Sequence, residues 1–219
     1  MNRFEHHNCL SPFSLGNAAA ALNRYKMSSR PRGICLILNN TNFQGKISDR
    51  EGAEFDDREL EKLFKELFFT VRVFRDMQCE EMRNVASECA GQDHSQFHAF
   101  VFIVMSHGGE RDVICGVKGR QIRVEDLMAE FKATNCPTLE SKPKLFFIQS
   151  CRGSSSERLS TTFSSAVRDT AFAPDSALPR SVCPQEADFL LAFATTPGYV
   201  AWRNRERGSQ FIQVNRNKY

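Results

Sequence analysis

Cys151 and His107 are the two residues whose types and settings suit nucleophilic catalysis. Cys151 ends the run Lys144-Leu-Phe-Phe-Ile-Gln-Ser-Cys151, and His107 follows the apolar stretch Phe97 to Met105. Open α/β sheets bind their ligands beyond the carboxyl ends of the strands, so two parallel strands would deliver both side chains to one rim. There an imidazole can take the proton of a thiol and later return it to a leaving amine. Gly108 lets a backbone N–H approach a substrate oxygen, and the Cys151 N–H can act as the second donor of an oxyanion hole. Alone, a free cysteine is usually a small buried hydrophobe, and a lone histidine is often satisfied by core hydrogen bonds. Together at two strand ends, a nucleophile and its base favour the catalytic reading. His94 and His98 stand four apart without a third ligand and are read as structural, and no metal is expected.

The elements that must position this pair are legible in outline. With 219 residues, the chain is long enough for one domain with a full core. No apolar stretch reaches the roughly 20 residues of a membrane span, and the N-terminus lacks the order of a secretory signal. The eight cysteines show no CxxC pair, which suggests reduced thiols in the cytoplasm. A net charge of +3 gives no reason to expect nucleic acid or membrane binding.

Residues 1–31 read as a short aperiodic leader, with a possible short helix over Ala18 to Ala21. Gly33 to Asn39 reads as a first buried strand. A polar loop follows, and Asp56 with Glu59 resembles a capping box for a helix carrying Leu60, Leu63, Phe64 and Leu67 on one face. Thr70 to Arg75 alternates as a strand, and Glu80 to Cys89 has helical spacing. Phe97 to Met105, a small hairpin over Val113 to Val124, a helix from Glu125 to Phe131 and the strand Leu145 to Ile148 complete the first part. Strands alternating with helices predict a largely parallel α/β sheet. Residues 154–185 hold serine runs and prolines without periodicity, as expected of a functional or disordered linker. Ala187 to Thr195 reads as another buried strand.

With these motifs on the page, the chain resembles the caspases. That family carries a Gln-Ala-Cys-x-Gly pattern with its histidine about 50 residues upstream. Here it stands as Gln149-Ser150-Cys151-Arg152-Gly153, with His107 lying 44 residues before the cysteine. Further blocks are Arg32-Gly-Ile-Cys-Leu-Ile-Leu-Asn-Asn40, Ser106-His-Gly-Gly109, Lys142-Pro-Lys-Leu-Phe-Phe-Ile-Gln149 and Trp202-Arg-Asn204. The resemblance covers about residues 30–213, and the wording of its first and last blocks is similar to the initiator or nematode-like branch.

The resemblance implies a three-layer α/β fold, with a mostly parallel central sheet and helices on both faces. It implies a cysteine endopeptidase that cuts protein substrates after aspartate in programmed cell death, without a cofactor. Arg50, Arg203 and Gln149 match the aspartate pocket, where planar guanidinium groups suit a short carboxylate. Trp202 and Tyr199 would line the neighbouring subsites, and Ala201 would pair with substrate through its backbone. The Ser48 carbonyl would orient His107.

The resemblance also implies a zymogen, with 32–153 as the large-subunit region and 154–185 as the linker, cut at Asp169 or Asp175. Residues 186–219 are then a truncated small-subunit region, because the family continues for a further helix and an interface strand. Ser150, Ala201 and Gln210 replace the family's usual Ala, Ser and Trp. The partners implied are protein substrates and a second caspase chain in a homodimer or heterodimer. An alternative is a non-dimerising form that acts as a decoy or regulator of apoptosis.

Overall fold

The fold is taken from a computed structural model that describes residues 24–154 and 187–216. In chain order, the first elements are β1 (Ile34–Asn39), α1 (Ala53–Glu66), β2 (Thr70–Arg75), α2 (Cys79–Ala90) and β3 (Phe100–Met105). A small antiparallel sheet follows: β4 (Gly108–Gly109), β5 (Val113–Cys115) and β6 (Gln121–Arg123). Then come α3 (Val124–Ala129), β7 (Lys144–Gln149), β8 (Phe189–Phe193), the hairpin β9 (Arg203–Asn204) and β10 (Gly208–Ser209), and α4 (Gln210–Arg216). Asp169, Asp175, the short helix over Ala18 to Ala21 and nearly all of the 154–185 linker lie outside the described residues. Among the described residues no helix is long and apolar enough to cross a membrane.

The central sheet has the order β2-β1-β3-β7-β8, and every pairing in it is parallel. All six residues of β1 and all six of β3 are buried. A strand covered on both faces reads as a continuous apolar run, which is why these two were visible in the sequence. Successive side chains point to opposite faces and feed two cores. Leu36, Leu38, Phe102, Val104 and Ile148 pack with residues of α2 and α3. Cys35, Ile37, Val101, Ile103 and Met105 pack with Leu60 and Phe64 of α1 and Ile212 of α4. Helices therefore cover both faces, as the three-layer expectation required. The chain leaves β1 toward β2 and returns on the other side as β3, so the strand order reverses between β1 and β3. A ligand crevice forms at such a reversal, outside the carboxyl ends.

The start of β1 is packed to backbone contact. A Cβ built on Gly33 would run into the carbonyl of Ala99, the residue that leads into β3. Relief would require two central strands to part. Gly33→Ala is accordingly expected to destabilise the fold by about 3 kcal/mol, lowering the urea midpoint at an unchanged m-value. An unaltered midpoint would show that this contact is not a constraint.

The helix start departs from the sequence expectation. The helix begins at Ala53, with Gly52 as its N-cap and no side-chain cap, so Asp56 lies inside the first turn and caps nothing. The capping box falls instead on α2, between Gln78 and Glu81.

Candidate active site

The register of β3 on β7 brings the candidate pair together. Phe100 stands opposite Lys144, and so on to Met105 opposite Gln149. The Ser106 N–H then donates to the Gln149 carbonyl at 3.1 Å. Each pairing has the same offset that separates His107 from Cys151. The two residues thus leave adjacent strands at equivalent positions, two beyond the last rung. Gly108 closes the approach: a Cβ there would lie 2.6 Å from the Cys151 carbonyl oxygen and 2.8 Å from the Ser150 Cβ. Only a glycine lets these two loops meet at backbone distance.

His107 is oriented by the loop after β1. Its Nε2 lies 2.7 Å from the Ser48 carbonyl. A carbonyl only accepts, so this contact assigns the proton to Nε2 and leaves Nδ1 as the free base. Phe43 packs on the ring with centroids 4.8 Å apart. Burial pushes the imidazole below its ordinary 6.5, aided by the Arg50 and Arg203 charges and opposed by the Ser48 carbonyl. Folding therefore disfavours protonated His107. Its contribution to stability is complete above the unfolded value of 6.5 and is lost as pH falls through the lower folded value. An NMR titration of the His107 ring protons is expected to show a midpoint below 6.5. A midpoint above 6.5 would contradict the burial argument.

The Cys151 side of the site is built by the chain after β8. Cys151 is half-buried, and its Sγ receives the Ala201 N–H at 3.4 Å. The Arg152 N–H donates to the Tyr199 carbonyl at 2.9 Å, and the Gly198 N–H donates to the Arg152 carbonyl at 2.8 Å. Residues 198–201 thereby run alongside the loop that carries Cys151. Tyr199 and Trp202, which flank Ala201 in this stretch, remain 38% and 48% exposed.

Arg50 occupies an unusual position for a cation. It is 1% exposed, and its Nη1 donates to Asn39 Oδ1 at 3.0 Å and to the Asn40 carbonyl at 2.7 Å. Its Nη2 has no partner, and neither has Gln149 Oε1 at the end of β7. Burial, followed by the nearby Arg203 charge, pushes the Arg50 guanidinium down to about 9, against the pull of Asp56 and Cys151. Arg203 is held by its Nε donating to the Glu51 carbonyl at 2.9 Å, and it too is lowered mainly by burial. Arg50, Arg203, Cys151 and His107 thus share one electrostatic neighbourhood, although they come from four separate stretches of chain. Such a cluster can hold an anion beside a thiol and a neutral imidazole. His94 and His98 stand apart from it: His94 Nε2 bonds the Cys89 carbonyl, and His98 Nδ1 accepts from the Ser29 N–H.

Several contributors had no sequence signal. Asn39 and Asn40 looked like strand punctuation, yet Asn39 Nδ2 bonds the Ala53 carbonyl and Asp57 while its Oδ1 takes Arg50. Asp56 accepts from the Ser209 N–H at 2.8 Å and from the Ser209 hydroxyl at 2.5 Å. Ser209 pairs with Arg203 across the β9–β10 hairpin. Asp56 is therefore the anchor of the hairpin that carries Arg203.

The family model described as the caspase domain matches residues 32–214. The chain is 41% identical over 192 residues to caspase-7 of Gallus gallus, covering 87% of this chain and 61% of that protein. It is 38% identical over 192 residues to caspase-3 of Bos taurus, covering 87% and 66%. With caspase-8 of Rattus norvegicus it shares 33% identity over 202 residues, covering 87% and 42%. It thus spans less than two thirds of each of these three relatives. With most of the sequence inside the matched family model, the chain belongs to the caspase family.

Proposed function

We propose that this chain is a cysteine endopeptidase that cleaves protein substrates after aspartate, in apoptosis. The observation that carries the reading is Arg50: a buried guanidinium with an unpartnered Nη2, in the field of a thiol and beside a second arginine. A buried donor without a partner calls for a ligand, and a carboxylate answers the charge as well as the hydrogen bond.

In the proposed reaction, the aspartate side chain of the substrate enters between Arg50 and Arg203, near Gln149. Nδ1 of His107 takes the Cys151 proton, and the thiolate attacks the carbonyl carbon of that aspartate. The developing oxyanion is met by the N–H groups of Gly108 and Cys151. The imidazolium then protonates the leaving amine. Water, deprotonated by the same imidazole, releases the acyl group and restores the thiol. Tyr199 and Trp202 offer the apolar surface for residues upstream of the aspartate. Zymogen activation by cutting at Asp169 or Asp175, between regions 32–153 and 186–219, belongs to the same proposal. A reducing, cytoplasmic setting fits the six free cysteines of the described residues.

A second reading, a decoy or regulator that binds without efficient turnover, draws on β8. Among the described residues β8 pairs only with β7, and Leu190 and Leu191 are 51% and 39% exposed. An edge left unpaired in this way is what a non-dimerising chain would present.

Hydrolysis of a fluorogenic peptide ending in aspartate, beside its asparagine twin, separates the two readings when light scattering is recorded on the same samples. Turnover of the aspartyl peptide alone, abolished in Cys151→Ala, is the expected result. A folded monomer inert toward both peptides at every concentration would remove the protease reading and leave the regulator.

A further inference from the structure

Arg152 follows the proposed nucleophile, and the structure holds it at both ends. Its backbone is fixed to Tyr199 and Gly198, as described above. Its side chain donates from Nε to Asp112 Oδ1 at 2.6 Å and from Nη2 to Asp112 Oδ2 at 2.9 Å. Nη1 reaches the Thr195 carbonyl at 3.4 Å, and the guanidinium carbon sits 3.9 Å from the centroid of the Phe193 ring. A fork that is bidentate on one side and stacked on the other is a geometry that lysine cannot reproduce. The Arg152 side chain is 14% exposed and that of Asp112 40%, so solvent screening reaches the pair from the carboxylate side only.

The partner is as informative as the arginine. Asp112 lies in the turn between β4 and β5, where Arg111 and Asp112 both adopt positive φ, 58° and 54°. A non-glycine residue in that region is uncommon and persists where its surroundings dictate it. One arm of the turn, β4, carries Gly108, which packs against the Cys151 carbonyl. The turn then brings Asp112 back onto the residue after Cys151. The ion pair thus clamps the loop bearing one proposed oxyanion donor to the loop bearing the other.

We propose that Asp112 is a positioning residue which, through Arg152, sets the spacing of the Gly108 and Cys151 amides. This rests on the protease reading for its consequence in catalysis, but not for the clamp itself.

Two variants test it. Asp112→Asn keeps the shape and the tolerance of positive φ while removing the charge. Asp112→Gly removes any strain of that conformation. In both, kcat is expected to fall about 10- to 100-fold, with KM within about threefold of wild type. Affinity for a peptide aspartyl aldehyde, whose hemithioacetal oxygen takes the oxyanion position, should fall in parallel. Alkylation of Cys151 by iodoacetamide, which uses no oxyanion hole, should stay within about threefold. A kcat within about twofold of wild type in both variants, or alkylation that falls as far as kcat, overturns the proposal. Amide hydrogen exchange on the unliganded protein gives a readout independent of turnover. The 149–153 segment should exchange faster in Asp112→Asn while β1 and β3 stay protected, and unchanged exchange at 149–153 also overturns the proposal. If the wild type itself hydrolyses no aspartyl peptide, the protease reading fails and the exchange result still decides the clamp.

Discussion

With Arg50 replaced by glutamine, kcat/KM for cleavage after aspartate is expected to fall about 1000-fold, while stability stays within about 1 kcal/mol of wild type. The two halves of this expectation share one cause. The guanidinium is buried, and its pKa is lowered to about 9. A base with a lowered folded pKa destabilises the fold wherever it is charged. That cost is complete below about 9 and is relieved as pH rises from there toward the ordinary guanidinium value. Removing the charge therefore removes a cost to the free protein, and the glutamine amide can still donate to Asn39 Oδ1 or the Asn40 carbonyl, so the two effects nearly offset in folding. The substrate complex behaves in the opposite way. A carboxylate that arrives opposite a glutamine keeps Arg203 but loses its buried countercharge, and breaking such a pair costs about 3–5 kcal/mol. The asparagine twin of the substrate has no charge to lose, so the preference for aspartate should collapse with the rate. Urea unfolding and paired kinetics on the two peptides check both halves. A lowered urea midpoint with the aspartate preference intact would mean that Arg50 is a structural cation and that the anion site lies elsewhere.

How far the sequence foreshadowed this site depended on whether a signal was local. β1, β3 and β7 were legible because burial on both faces writes continuous apolar runs into the chain. Cys151 and His107 were legible because each sits just past such a run. Their shared register was not, since parallel strands are aligned by the packing of the intervening crossovers, and nothing local to either strand records that alignment. Asp56 shows how a local pattern can mislead. Its spacing to Glu59 imitates a capping box, yet its carboxylate serves Ser209, 153 residues downstream. The Arg152–Asp112 clamp spans 40 residues and leaves an equally faint trace. Family resemblance proposes Arg50 for the aspartate pocket, but its burial and its unpartnered nitrogen are visible only in the fold.

Asp56→Ala is expected to cost about 3–5 kcal/mol of stability, and in the protein that remains folded it should raise KM more than it lowers kcat. Asp56 is fully buried, and its removal leaves the Ser209 N–H and hydroxyl inside without an acceptor. Two orphaned donors together carry a penalty of that size. The kinetic consequence follows from the hairpin. Ser209 lies opposite Arg203 and Gly208 opposite Asn204, so releasing β10 frees β9 and the guanidinium it carries. Arg203 is proposed to hold the substrate carboxylate, remote from the bond that breaks, and loosening it weakens ground state and transition state alike. A further variant isolates the charge. Burial raises the Asp56 carboxyl against the opposing bonds from Ser209. Its ionised form therefore costs stability above the folded pKa, and acidification through that value relieves the cost. Asp56→Asn should keep one acceptor for Ser209 and lose this pH-dependent contribution, so its urea midpoint relative to wild type should be higher at neutral pH than at a pH low enough to protonate the buried carboxyl. If Asp56→Ala instead lowers the urea midpoint and leaves KM unchanged, the hairpin is held in place by its other contacts, and Asp56 serves the fold without serving the pocket.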